Sequence, residues 1–541
     1  MKKNVLMVAI GAMVGVLGVV AVIDKKINNS NDDSVKITSF EQHKVAMEEG
    51  ADPSIGTTEL PEDFIVDGSF ESHLPLVVID VSGKEIPINK EYEYNESEGM
   101  EEAIKSENPF VNGTIAVIDN ADYQNKLSDT PVTVSDMKIR LRGSSSQKFD
   151  KKQYAIKMLD ESGNSKKVDV MGIGENNDWI LNISMLDQSL MRNYAAMKFG
   201  SALFPGTPDC KYCEVFFKDS DNRYEYQGVY LMMEKIEKGE DRVNINTYHP
   251  GDKLVSYLLC RDRIDKNAVQ LSTYASENKL AYGRLSVLYP DEDVIDDYAF
   301  NYIQDDIDSI ERVLYSDDVE TFETWSQYLD EQSFVDYYIF NSIFRNYDAG
   351  DNSTYMYKNA GGKLCMGPVW DYDNACNNDY NAIQVPDYDY FYTQVWFDRL
   401  VLSRAYVDAL EDRYKELTNG IFSADYINDY LDDVAAFLGN AAQRDWCRWA
   451  DKYGVNGSYY KSYGIVDSQG FVVDRRSETF LDEVHRFQNY FFLEEEFIMD
   501  NLKELEKDTN KMDKRIGAYF AMLFMVLLVC SVTLISRRKM Y

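Results

Sequence analysis

The longest apolar runs sit at the two ends of the chain. Asn4 to Ile23 is nearly unbroken apolar sequence behind Lys2 and Lys3, and Ile516 to Ile535 is a second run followed by Arg537, Arg538 and Lys539. Both are long enough to cross a bilayer. The first exceeds a usual signal-peptide core and shows no clear small-residue cleavage site before Asp24. We therefore expect a retained anchor over residues 1–26 and a membrane helix over 515–536. The basic residues after the second run place both termini inside and the middle of the chain outside. Lys25, Lys26, Lys514 and Arg515 flank the outer ends and reduce that contrast. Residues 27–57 are rich in Asn, Asp, Ser and Glu with few strong apolar positions, and read as a flexible stalk.

Between the ends the hydrophobic period changes once. Residues 58–245 carry mostly strand patterns. Leu74 to Leu141 holds apolar runs around a Ser82-Gly83 turn and further strand candidates in GTIAVID and DMKIRLRG. Arg142 to Met158 reads as a strand end, a small-residue loop and a strand with Tyr154, Ile156 and Met158 on one face and Lys157 on the other. Asn177 to Gly200 predicts a helix entering near Ser184, with Leu186, Leu190, Tyr194 and Met197 as its stripe and Gly200 as its stop. Glu225 to Ile245 is a strand breaking into a charged turn. Residues 246–510 become mainly helical: Asp293 to Leu314, Phe334 to Phe344, Gln394 to Leu417, Asp425 to Leu438 and Arg476 to about Lys507, with strands around Tyr257 and Leu285. A β-rich part followed by a helical part is an α+β pattern.

The densest chemistry lies between Glu331 and Cys376. Phe334 to Phe344 is apolar nearly all round, so that helix is buried. Arg345 to Ser353 is a polar loop with Asp348, Asp351 and Asn352. Thr354 to Lys358 alternates as a strand, Gly361-Gly362 marks a turn, and Lys363 to Met366 returns. Pro368-Val369-Trp370 then delivers Asp371 and Asp373. Buried helix, polar loop with an Asp, hairpin, second Asp is the order by which protein kinases bring a catalytic and a metal-binding Asp into one cleft. Carboxylates gathered in one cleft repel, and a hard divalent cation relieves that repulsion. As plain structure, the same Asp residues serve as turn formers and helix caps.

Composition narrows the classes. A formal net charge of -36 over 541 residues repels phosphate backbones and argues against nucleic-acid binding. It favours basic partners. The four His are scattered, with no zinc-ligand spacing and no Ser-His pairing. Six cysteines outside the second apolar run allow fifteen connectivities. Cys210 and Cys213 form a C-x-x-C without a second such pair, so buried thiols or one local disulfide is the expected state. Tyr388 to Tyr392 reads as loop packing, with sugar stacking as the alternative.

Several of these blocks resemble, in order, the spore coat protein H (CotH) family of secreted atypical kinases. They are RGSSSQKFDKKQYAIKM, the D…RN of Asp187, Arg192 and Asn193, the G-V-Y…E of residues 228–234, RNYD with its downstream Asn, and GPVWDYDNA. The resemblance spans roughly residues 74–450. It implies a two-lobed, protein-kinase-like fold, with 58–245 as the β-rich lobe and 246–510 as the helical lobe. It implies Asp348 as the catalytic Asp and Asp371 as a metal ligand, with Asn352 or Asp373 beside it. Arg142, Ser144, Lys152 and Lys157 would line the nucleotide site. Lys157 in AIKM is the first choice for the phosphate-contacting Lys, and Met232 and Glu234 would lie where the adenine sits. ATP and Mg²⁺ (or Mn²⁺) follow as cofactors. The activity implied is Ser/Thr phosphorylation of a basic, Ser- and Lys-rich protein outside a bacterial cell membrane or facing the spore coat. Two departures stand out. The kinase pattern sets Asn five residues past the Asp, whereas Asn352 is four past Asp348 and Ser353 is fifth. The predicted helix after Asn177 also holds no Glu to pair with the Lys. A catalytically inactive pseudokinase, a structural coat or envelope scaffold, and a glycan-binding envelope protein are the alternatives.

Overall fold

A computed structural model describes residues 39–509, apart from 89–91, 96–99, 104–109, 144, 184, 220, 222, 266–267, 282, 347, 377, 379–390, 456 and 459–476. Both terminal apolar runs lie outside the described residues. Among the described residues, no helix is long and apolar enough to cross a membrane.

The first helix among the described residues is α1, Gln42–Glu49. This corrects the flexible stalk over its described part. His43 and Ala46 are buried on α1, and Ala51 follows them inward. A polar composition hid this short apolar face.

The main sheet of the β-rich part has strands β1 (Ile65–Val66), β2 (Leu76–Asp80), β3 (Val111–Ile118), β4 (Thr133–Leu141), β5 (Tyr154–Leu159), β6 (Asp178–Asn182), β7 (Cys210–Lys218) and β8 (Tyr224–Glu234), with smaller strand pairings beside it. Their order is β1-β8-β6-β5-β4-β3-β2-β7, and β7 pairs with β8 as well, so all but β1 close into a ring. The β2–β7 contact is parallel and the other pairings are antiparallel. Because side chains alternate between faces, Val77, Ile115, Met137, Ile139, Ile156, Leu181, Val215 and Met232 share the inner face, and all are fully buried. Lys138, Arg140 and Lys157 fall on the outer face.

Helix α2, Arg192–Leu203, starts later than its apolar stripe suggested. Residues 187–190 form a turn instead, with Leu190 in the left-handed region at φ 63°. The Asp187 carboxylate accepts from the Arg192 N–H at 2.8 Å and from the Ser189 hydroxyl at 2.5 Å, which sets the helix start. Gly200 is no stop, since the helix runs three residues past it. A Cβ there would meet a Val369 methyl at 2.2 Å, so this glycine permits close packing of α2 on the segment before Asp371.

A second sheet joins β9 (Tyr257–Asp262), β10 (Arg284–Tyr289), β11 (Thr354–Lys358) and β12 (Leu364–Met366) in the order β10-β9-β11-β12. Around it lie α3 (Asp297–Leu314), α4 (Glu331–Phe344), α5 (Arg404–Thr418), α6 (Ala424–Arg448) and α7 (Phe480–Thr509). The helix expected over Gln394 to Leu417 is interrupted before Arg404, and the one expected to end at Leu438 does break there, at Gly439 with φ 43°, before a second helical stretch runs on to Arg448. α4 matches its periodicity: Asp330 caps it, and every residue from Phe334 to Phe344 is buried.

Candidate active site

α4 ends at Arg345, whose left-handed φ of 44° turns the chain into the polar loop. Buried Asn346 then joins two turns that lie far apart in sequence. Its Oδ1 accepts from the Asp348 N–H at 3.1 Å, and its Nδ2 donates to the Asp371 carbonyl at 3.1 Å. Two neighbouring side chains repeat the bridge. Asn352 Nδ2 donates to Asp348 Oδ1 at 3.3 Å, and Ser353 Oγ reaches Asp371 Oδ2 at 3.4 Å. Asp348 and Asp371 therefore sit on opposite sides of one Asn352-Ser353 step, both half-buried. Ser353 and Asp371 have φ of 47° and 65°. Left-handed conformations cost non-glycine residues free energy and gather where function over-determines the backbone.

The residues present fit a divalent cation. Asn352 is buried, and its Oδ1 has no hydrogen-bond partner among the described residues. An orphaned amide oxygen on a side chain bonded to the Asp348 carboxylate, next in sequence to the Ser353 that reaches Asp371, is the kind of hard oxygen donor such a cation prefers. Among the described residues, no group of three or more His, Cys, Asp or Glu is placed to hold a metal. Asp373 is half-buried and lines a small cavity with Asn182, Asp187 and Asn193.

The basic candidates divide. Arg142 is brought to the Asp371 turn: its guanidinium lies 5.4 Å from the Trp370 ring centre, and Nη1 donates to Gln153 Oε1 at 3.1 Å. Lys157 stands further down β5, paired with Asp178 at 3.3 Å. This answers the missing Glu. The lysine's partner comes from the adjacent strand β6, directly opposite it in register, and not from a helix. Lys138 is its other cross-strand neighbour, and Arg140 and Asp136 face the same way. Lys152 Nζ donates to the Gln147 carbonyl at 2.8 Å, closing its own loop. Ser144 lies outside the described residues.

Met232 and Glu234 lie apart from these basic residues. Met232 points into the ring, on the face opposite Lys157, fully buried among strand side chains. Glu234 is held by Arg242 at 2.5 Å and accepts from the Asp209 N–H at 3.4 Å. Neither joins Lys157 on the outer face. Cys210 and Cys213 are buried free thiols. Three residues apart on a strand, they face opposite ways and cannot share a metal.

Sequence reasoning missed Lys151. It is fully buried and pairs with Asp445 of α6 at 2.5 Å. The partners are 294 residues apart, so no local pattern marks them. It also left the D…RN block without a role. Arg192 donates to Asp187 at 2.7 Å and to Glu483 of α7 at 2.9 Å, tying the start of α2 to the last described helix.

A mixed fold whose strand-borne lysine and paired aspartate turns stand beside a buried helix defines a kinase-like protein. The family model for the CotH kinase protein matches residues 139–490, about two thirds of the chain. The chain belongs to that family. No curated protein matches it.

Proposed function

We propose that this chain is an extracytoplasmic, membrane-anchored protein kinase that moves the γ-phosphoryl group of ATP to Ser or Thr hydroxyls of a basic envelope or spore-coat protein. The observation that carries the reading is the double bridge between Asp348 and Asp371, through Asn346 and through Asn352-Ser353. Asp348 would orient the acceptor hydroxyl and take its proton. Asp371 and Asn352, with Asp373 nearby, would hold Mg²⁺ or Mn²⁺. A cation bound there supplies charge neutralisation for the phosphates. Arg142 and Lys157 would bind and orient the phosphate chain, which is where catalysis of this reaction mainly resides. The apolar runs at the two ends support the anchoring, and the net charge of -36 supports a basic substrate.

The test is transfer of labelled γ-phosphate, by the full chain with Mg²⁺ or Mn²⁺, to itself and to a Lys- and Ser-rich peptide. Asp348→Ala should abolish incorporation while retaining thermal stabilisation by Mg²⁺–ATP. Incorporation that survives Asp348→Ala overturns the assignment. The four-residue step from Asp348 to Asn352 favours a second reading, a pseudokinase or scaffold. Nucleotide binding by the wild-type chain without any transfer selects it. Stabilisation by oligosaccharide and not by nucleotide would select a glycan-binding protein.

A further inference from the structure

The backbone of Asp371-Tyr372-Asp373 is held by asparagine side chains at three consecutive residues. Asn346 takes the Asp371 carbonyl. Asn193 Oδ1 accepts from the Tyr372 N–H at 3.1 Å. Asn378 Nδ2 donates to the Asp373 carbonyl at 2.8 Å, and its Oδ1 accepts from Arg486 at 2.8 Å. Asn193, on the first turn of α2, differs from the other two in where it leads. Its Nδ2 donates to Asn182 Oδ1 at 2.7 Å, Asn182 Nδ2 donates to Gln153 Oε1 at 3.2 Å, and the same Gln153 oxygen accepts from Arg142 at 3.1 Å. Gln153, Asn182 and Asn193 are all buried. Buried amides are costly unless paired, and such a chain holds its members in one arrangement.

We infer that Asn193 is a positioning residue that fixes the left-handed Asp371 turn and, through Asn182 and Gln153, sets Arg142 in register with it. The inference rests on the kinase reading above. It gives the Asn of the D…RN block a task, while Asp187 and Arg192 of the same block secure the helix that carries it. Arg142 and Asp371 come from segments more than two hundred residues apart. The amide chain supplies the alignment without adding charge beside Asp371 and Asp373.

The test uses the full chain, Mg²⁺ and ADP, read by calorimetry alongside the unfolding midpoint. Asn193→Ala should raise the Mg²⁺ concentration for half-maximal ADP binding about tenfold, a shift that loss of stability alone does not produce. Gln153→Ala leaves the Tyr372 contact intact, and is the fallback if Asn193→Ala does not fold. It should weaken ADP binding about fivefold, and the loss should be non-additive with that of Arg142→Ala, because the two groups act through one contact. Unchanged Mg²⁺ dependence in a folded Asn193→Ala chain overturns the inference, as does full additivity of Gln153→Ala and Arg142→Ala. Either result leaves the kinase reading standing. A wild-type chain that binds no Mg²⁺–ADP overturns both.

Discussion

Two lysines of one hairpin, each facing a single aspartate, have opposite fates. Lys151 and Asp445 are both fully buried, 2.5 Å apart, and Asp445 Oδ1 also accepts from the Val229 N–H at 2.8 Å. Lys157 and Asp178 are 3.3 Å apart and keep 35% and 20% of their side-chain surface. Removal from water acts against both charges of the buried pair, pushing the Lys151 ammonium down and the Asp445 carboxyl up. That pair fastens the hairpin loop to α6 and admits no ligand. The outer pair is loosely tied, so its lysine can turn to an incoming anion. Burial decides which of two similar ion pairs is structural and which is usable.

The largest expected effect comes from breaking the buried pair. Asp445→Ala strands an ammonium without its partner and should cost about 3–5 kcal/mol of unfolding free energy in urea titration. Replacing both members, Lys151→Met with Asp445→Leu, should recover much of that loss, short of the Val229 contact. If the double variant is no more stable than Asp445→Ala, the pair contributes in some way beyond its charges.

A second buried carboxylate shows what a further cation does. Burial alone would raise Glu483, but the Arg486 and Arg192 guanidinium groups beside it draw it down to about 2 from an ordinary 4.5. Its folded-state value is depressed, so its stabilisation is complete above pH 4.5 and is lost as pH falls towards 2, roughly 3 kcal/mol in all. His73 works in an earlier window. Burial lowers it from 6.5 to about 4, so the unfolded chain takes up that proton first and stability falls between pH 6.5 and 4. Acid unfolding should therefore proceed in two stages, and Glu483→Gln should flatten only the lower one. Urea midpoints measured from pH 7 to pH 2.5 check this.

Local chemistry made part of this legible. α4 and the β11–β12 hairpin follow from an all-round apolar run and a Gly-Gly turn, which depend on neighbours in sequence. The convergence of Asp348 and Asp371 follows from that hairpin, because the loop before it and the segment after it meet at its open end. What stayed hidden depends on register and distant packing. Lys157 was visible as a strand lysine, but its partner Asp178 is fixed only when β5 and β6 align. Lys151 and Lys152 are adjacent and chemically alike. Only the docking of α6 buries one, while the other closes its own loop. Met232 looked accessible because the strand pattern does not say which face closes inward. α1 was lost in a polar composition whose few apolar residues matter because α6 lies under them: Lys44 reaches Asp433 at 3.1 Å, and Tyr430 donates to the Phe40 carbonyl at 2.7 Å.

The smallest effects on stability should accompany the clearest effects on binding. Lys157→Ala removes one member of a partly exposed pair, which typically contributes under about 1 kcal/mol to folding. A charge-assisted contact to phosphate is worth about 1.5–3 kcal/mol, so ADP binding should weaken roughly tenfold or more. Asp178→Asn frees the lysine without removing it. The carboxylate draws Lys157 across towards β6, and its loss releases the ammonium from competition but also from its fixed direction. If orientation matters more, Asp178→Asn weakens ADP binding about two- to fivefold. If competition matters more, binding tightens and Asp178 is a brake on the site. Calorimetry on both variants separates these outcomes. An Asp178→Asn chain that binds like wild type would mean that the outer pair, unlike the buried one, does nothing for either fold or ligand.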